Sequence, residues 1–130
     1  MAWFSNNELL LNVDKCQFML IGSKSNLSHF CNVDVRLNNK KLLRVMECKY
    51  LGVLLDSNLS WIPQINNVKK KVLKTYFALK RMRQFTDEKI SLILYKTLIQ
   101  PHFNYCTTIW MNGRLTLLKQ LQTLQNRCLR

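Results

Sequence analysis

The sequence predicts an α+β fold: a small antiparallel sheet followed by a helical bundle. Three observations carry this. Over residues 16–56, short apolar stretches alternate or run between turn signals at Gly22, Asn38-Asn39 and Asp56-Ser57-Asn58. From Ser60 onward apolar residues recur at helical spacing instead. Most of the positive charge lies in that second part. The predicted division is 1–58 and 59–130.

Taken in order, residues 1–13 read as the tail of a helix loosened by Ser5-Asn6-Asn7, then an apolar turn. Cys16 to Ile21 reads as a buried strand ending at Gly22, and Ser23 to Asn32 as a polar loop. Val33, Val35 and Leu37 alternate with Asp34 and Arg36, the pattern of a half-buried strand. Asn38-Asn39-Lys40 turns the chain, and Leu42 to Met46 returns as the second strand of a hairpin. Glu47 to Asp56 reads as a buried strand with a glycine in it. Glycine weakens a strand, so Gly52 either relieves crowding, forms a bulge, or admits a close approach by another backbone or a ligand.

Ser60 is a natural N-cap, and Pro63 falls in the first turn, where its missing N–H matters little. Ile62, Ile65, Val68, Val72, Tyr76 and Leu79 then mark one face of a helix running to about Gln84. Thr86-Asp87-Glu88 opens the next helix, with an N-cap followed by two acids in the first turn. It is apolar nearly all round from Ile90 to Ile99, which predicts a central place in the bundle, and Pro101 ends it. Phe103 to Trp110 is a short apolar helical segment, and Asn112-Gly113 turns the chain. Leu115 to Leu129 is a last amphipathic helix with Leu118, Leu121, Leu124, Cys128 and Leu129 on one side.

At 130 residues the chain is one domain or part of one, and 48% hydrophobic against 21% charged content is globular rather than disordered. No apolar run approaches the roughly 20 residues of a membrane helix, and no secretory leader is seen. Five cysteines, at 16, 31, 48, 106 and 128, are too few, odd and far apart for a disulfide framework or a zinc site. Reduced, mostly buried thiols in an intracellular protein, nuclear or cytoplasmic, are expected.

The net charge of +13 favours a polyanionic partner, nucleic acid ahead of an anionic membrane surface. Between Trp61 and Thr86 there are seven Lys or Arg and no acid. At about 100° per residue, Lys70, Lys74 and Arg81 align in a narrow stripe opposite the apolar face, with Lys71 beside it. A solvated helix face normally mixes signs; a single-sign stripe repels itself, and a phosphate backbone relieves that repulsion.

Enzyme chemistry is sparse. Asp14, Asp34, Asp56 and Asp87 are well separated, with no Asp-Asp or Asp-x-Asp to hold two magnesium ions. No phosphate-binding glycine loop and no H-E-x-x-H is present. The chain is not expected to catalyse by itself, and metal ligands are expected to be none.

The motifs in their order resemble the C-terminal palm and thumb portion of a reverse transcriptase, an RNA-directed DNA polymerase, of the non-LTR (LINE-like) retrotransposon class. Trp3-Phe4, Asn7-Glu8-Leu9, Leu11-Asn12, Lys15-Cys16 and Phe18-Met19-Leu20 resemble the palm segment called motif D. Lys49-Tyr50-Leu51-Gly52-Val53 with Asp56, Asn58-Leu59 and Trp61 resembles the primer-grip hairpin. Tyr95, Leu98-Ile99, Pro101-His102, Tyr105, Ile109-Trp110 and Gln125 to Arg130 resemble the thumb and the segment just beyond it.

The resemblance implies roles. Lys15 matches a lysine proposed as general acid to the leaving pyrophosphate, although on residue types alone it simply follows Asp14 in an exposed turn. Tyr50, Leu51 and Gly52 match the grip on the primer end. Lys70, Lys71, Lys74 and Arg81 would meet the backbone of an RNA–DNA or DNA duplex, without base specificity. Tyr76 and Trp61 read as core rather than stacking platforms. The family's metal-binding aspartates, with their Tyr/Phe-x-Asp-Asp turn, are expected upstream of Trp3, together with the fingers and most of the palm. Magnesium is therefore expected only in the full-length polymerase, and the missing palm and fingers portion is a further expected partner. Two other readings stay open: a stand-alone, sequence-independent nucleic-acid-binding module, and a decayed element without a selected role.

Overall fold

The computed structural model describes residues 2–111 and 115–129; the turn expected at Asn112-Gly113 lies outside them. The fold is α+β. The chain divides into two units, Met1–Cys48 with Asp56–Leu59, and Lys49–Leu55 with Ser60–Arg130.

The first unit begins with helix α1, Ala2–Asn6, and a 3₁₀ turn at Val13–Lys15, where the Asn12 side chain accepts from the Asp14 N–H at 3.1 Å. Strand β1 is only Gln17–Phe18 and is not buried, so the expected buried strand from Cys16 to Ile21 does not form. The polar stretch after Gly22 is not a loop but helix α2, Lys24–His29. The Ser23 hydroxyl starts it by accepting from the Asn26 N–H at 3.2 Å, a local signal stronger than the stretch's polarity.

Strands β2 (Arg36–Leu37) and β3 (Lys40–Lys41) form an antiparallel hairpin with Leu37 opposite Lys40, so the turn falls where expected but the returning strand is Lys40–Lys41 and not Leu42 to Met46. Asn38 (φ 50°) and Asn39 (φ 58°) both take the left-handed region, as a two-residue type I′ turn requires. Val33, Val35 and Leu37 are half-buried, and Asp34 and Arg36 exposed, as the alternation predicted. Lys41 lies 2.9 Å and Arg36 3.4 Å from the Asp34 carboxylate. Hydrogen bonding from Lys41 leads the effects that hold the Asp34 pKa below the ordinary carboxylate value.

Strand β4 is Leu43–Arg44, shorter than the expected Leu42 to Met46, and it pairs with β1 in parallel. A parallel pair needs a crossover of a dozen residues or more, and α2 with the β2–β3 hairpin provides it. The expected single antiparallel sheet is thus three separate two-stranded ladders: β1–β4, β2–β3, and β5 (Glu47–Tyr50) with β6 (Val53–Asp56). The turn after β6 is present, with the Leu59 N–H on the Asp56 carbonyl at 2.8 Å.

The second unit is built on helix α3, Ile62–Met82. Its cap position is taken by Trp61 (φ 61°) rather than Ser60, although the Ser60 hydroxyl accepts from the Ile62 N–H at 3.3 Å. Ile65, Val68 and Val72 are buried, and Tyr76 and Leu79 pack on the same core. A 3₁₀ turn at Arg83–Phe85 leads to α4, Glu88–Leu94, capped by the Asp87 carboxylate on the Ile90 N–H at 2.7 Å. A π-helical turn, Tyr95–Ile99, continues into α5, Gln100–Asn104.

Pro101 therefore does not end this helix. It has no N–H, and its ring crowds the carbonyl four residues back. The wider turn before it, closed by the Gln100 N–H on the Tyr95 carbonyl, absorbs both defects. Nor is α4 central: none of its residues is buried, and only Tyr95 and Ile99 of the following turn enter the core.

Helix α6 is Thr107–Trp110 and α7 is Leu115–Leu129. Phe103, Trp110, Leu121 and Leu124 complete the core against α3. Leu129 of the predicted α7 face is exposed. Cys31 is exposed and the other four cysteines are half-buried free thiols, so none is fully buried as expected. Among the described residues, no helix is long and apolar enough to cross a membrane.

Candidate nucleic-acid interface

The stretch Glu47 to Asp56, read as one buried strand, reverses direction in its middle. Leu51 (φ 45°) and Gly52 (φ 87°) both adopt left-handed geometry, forming a two-residue turn between β5 and β6. Five successive apolar positions fit a strand or a hairpin equally well by period, so the reversal is decided elsewhere.

Two hydrogen bonds within the second unit and one buried side chain hold it. The Tyr105 hydroxyl donates to the Leu51 carbonyl at 2.5 Å. The Gln64 side-chain carbonyl of α3 accepts from the Leu54 N–H at 2.9 Å. Val53 is buried. A Cβ on Gly52 would stand 3.3 Å from the Tyr105 ring. The close approach inferred at Gly52 is thus made by a side chain of this same unit. Val53 turned inward leaves Tyr50 (64% exposed) and Leu51 (75% exposed) projecting from the tip.

Below the tip lies a cleft of about 270 Å³ lined by Lys49, Gly52, Gln64, Val68, Lys71, His102 and Tyr105. Two lysines and a histidine line it, with no acidic residue among the lining. Such a lining suits an anion, since lysines act as mobile point charges toward phosphate oxygens. Tyr105 stays in its neutral, donating form: a thiolate at Cys106 would repel the phenolate, and desolvation adds to this, so its pKa is raised.

Lys70, Lys71, Lys74 and Arg81 are all exposed on α3. Lys71 reaches the cleft, while Lys70, Lys74 and Arg81 carry positive charge along the outer face. Lys69, on the flank, is tied to Gln120 of α7 at 2.9 Å. Tyr76 and Trp61 pack against the core, and the Arg127 guanidinium sits 5.2 Å from the Tyr76 ring centre. Lys15 belongs to the first unit, exposed at the end of its 3₁₀ turn; the neighbouring Asp14 carboxylate is engaged by Lys40.

The structure thus brings Gly52 and Lys71 to one cleft and adds Lys49, Gln64, His102 and Tyr105. The sequence shows Lys49, His102 and Tyr105 only as members of separate motifs and Gln64 not at all, because nothing local links position 105 to position 51. Asp14 and Asp34 are held by lysines, Asp87 caps α4, and Asp56 is buried beside the turn. Among the described residues no group of three His, Cys, Asp or Glu is placed to hold a metal.

Among curated proteins, the chain is similar to a Drosophila melanogaster protein described as a probable RNA-directed DNA polymerase from the transposon X-element. The two are 30% identical over 86 residues, covering 63% of this chain and 9% of that protein. The chain thus spans only a small part of the polymerase it matches. No family model matches the chain, and no solved structure matches it.

Proposed function

We propose that this chain is the palm-end and thumb portion of a retrotransposon-type RNA-directed DNA polymerase, and that it grips a template–primer duplex by its phosphate backbone. The observation that carries this reading is the single-sign face of α3, a helix joined to the hairpin through the Gln64–Leu54 hydrogen bond and a shared cleft. Lys71 lines the cleft under Gly52, and Lys70, Lys74 and Arg81 extend the charge along the same helix. The similarity to the X-element polymerase supports the assignment.

In this reading Tyr50, Leu51 and Gly52 set the primer end, and the lysines with Arg81 hold phosphates without reading bases. Lys15 serves as general acid only in a complete polymerase, whose metal-binding aspartates this chain does not supply. The palm and fingers are then its natural protein partner, and magnesium belongs to that assembly.

Two measurements test the proposal. Fluorescence anisotropy with a labelled RNA–DNA hybrid should show log affinity falling linearly with log salt; a purified chain that binds no hybrid at low salt would overturn the grip. Sequencing the transcript upstream of Met1 tests the polymerase assignment. An open frame reading back into a Tyr/Phe-x-Asp-Asp turn is expected, and in-frame stops immediately before Met1 would reject it.

A further inference from the structure

Phe77 lies on the outer face of α3, 48% exposed, with Lys74, Lys80 and Arg81 one turn away and Leu73 and Tyr76 on its core side. At about 100° per residue it stands about 20° from Lys70 and about 40° from Arg81. Positions 70, 74, 77 and 81 therefore form one line, three of its members positive and one aromatic. We infer that Phe77 is a base-stacking residue: besides a duplex backbone, this face takes a strand with unpaired bases, its phosphates on the same Lys74 and Arg81 and one base on the Phe77 ring. The inference rests on the proposed nucleic-acid grip and adds an unpaired strand to the duplex that the same cations hold.

Charge and shape select that ligand. A protein partner docking on an exposed phenylalanine would bury it within a patch depleted of charge; here the ring is bracketed by Lys74 and Arg81 one turn to either side. The ligand must be anionic at those brackets and flat and apolar between them, which describes phosphate–base–phosphate. Lys74 and Arg81 are about 10.5 Å apart along the axis, the rise of roughly three stacked nucleotides. A duplex backbone alone offers the ring only phosphate and sugar, so a paired substrate leaves its apolar face without a partner.

The ring is also prepared. Phe77 meets the edge of Tyr76, ring centres 5.4 Å apart at 61°. Tyr76 is itself packed on the core beneath the Arg127 guanidinium. One side of the phenyl ring is thereby braced while much of the remainder faces solvent. A braced aromatic loses little side-chain freedom on stacking, and such stacking tolerates any base, since every base has a π face.

The test compares oligothymidylate, which is unpaired, with an RNA–DNA hybrid of equal length, by anisotropy over a salt series. Phe77→Ala should weaken oligothymidylate binding about five- to hundredfold, leave the hybrid within about twofold, and keep the slope of log affinity against log salt unchanged. Phe77→Trp should retain wild-type affinity, and its added indole emission should be quenched by oligothymidylate. Wild-type affinity of Phe77→Ala for oligothymidylate would overturn the inference. So would equal weakening on both ligands, which marks a structural ring, or an unquenched indole in the well-folded Phe77→Trp protein. Absence of binding by the unmodified chain to either ligand overturns the grip and the inference together. Failure confined to the variants overturns the stacking inference alone.

Discussion

The Tyr105 hydroxyl donates to the carbonyl of Leu51, 54 residues away in the chain, at 2.5 Å, and its ring fills the space beside Gly52. The shape of the hairpin tip is therefore held from outside the hairpin. Leu51 has a left-handed backbone, a conformation unfavourable by about 1–2 kcal/mol for a residue with a side chain. The hydrogen bond and the buried Val53 offset it.

Removing the phenol oxygen should be mild and adding a methyl group worse. Tyr105→Phe is expected to lower stability by about 0.5–1.5 kcal/mol. Gly52→Ala combines positive φ with a 3.3 Å contact to the ring, and about 1–3 kcal/mol is expected. In Gly52→Ala/Tyr105→Ala the contact disappears while the backbone strain stays, so the double variant should be less destabilised than the sum of the singles. Urea midpoints at constant m-value measure these variants together with the Tyr105→Ala single.

Alkaline pH should act through the same residue. The Cys106 thiolate and burial raise the Tyr105 pKa, so the unfolded phenol, ionising near the ordinary value of about 10, loses its proton first. Above that pH the unfolded state binds fewer protons than the folded one, and stability falls as pH rises toward the raised folded value. Tyr105→Phe should flatten this decline, and Cys106→Ala should move the Tyr105 transition in phenolate absorbance to lower pH. An unmoved transition in Cys106→Ala would rule out the thiolate as the cause.

Trp110 is 2% exposed, and its indole N–H donates to the Tyr105 carbonyl at 2.9 Å. Trp110→Ala is expected to destabilise by about 3–5 kcal/mol, enough to unfold a marginal domain. Ile93, in the helix expected to be central, is 59% exposed, and Ile93→Ala should change stability by less than about 0.5 kcal/mol. Thermal melts of the two variants distinguish this placement from the sequence-based one.

The basic face should behave as a set of phosphate contacts. Each of Lys70→Ala, Lys74→Ala and Arg81→Ala is expected to reduce the salt slope of hybrid binding by up to about 0.9, and equally on unrelated sequences. Lys69→Ala, whose ammonium group is engaged with Gln120, should change it less. A triple variant with an unchanged slope would place the duplex elsewhere.

The sequence by itself determined the two-part α+β order, the apolar face of α3 at Ile65, Val68 and Val72, and the exposed basic stripe behind it. It also determined that a helix opens within Thr86-Asp87-Glu88, although the cap is Asp87 and not Thr86, and that the chain turns at Asn38-Asn39. These are local properties: helical period, capping chemistry and turn residues act over a few positions, and the sequence displays those positions together. Tertiary structure alone decided that Glu47 to Asp56 folds back at Leu51-Gly52 instead of running straight, and that Lys49, Lys71, His102 and Tyr105 share one cleft. It also decided that the helix passes through Pro101 by a π turn, and that the apolar α4 stays outside the core. The physical reason is the same in each case. A short apolar run is compatible with several backbone paths of similar local energy, and contacts such as that between Tyr105 and Leu51, distant in the chain, select among them.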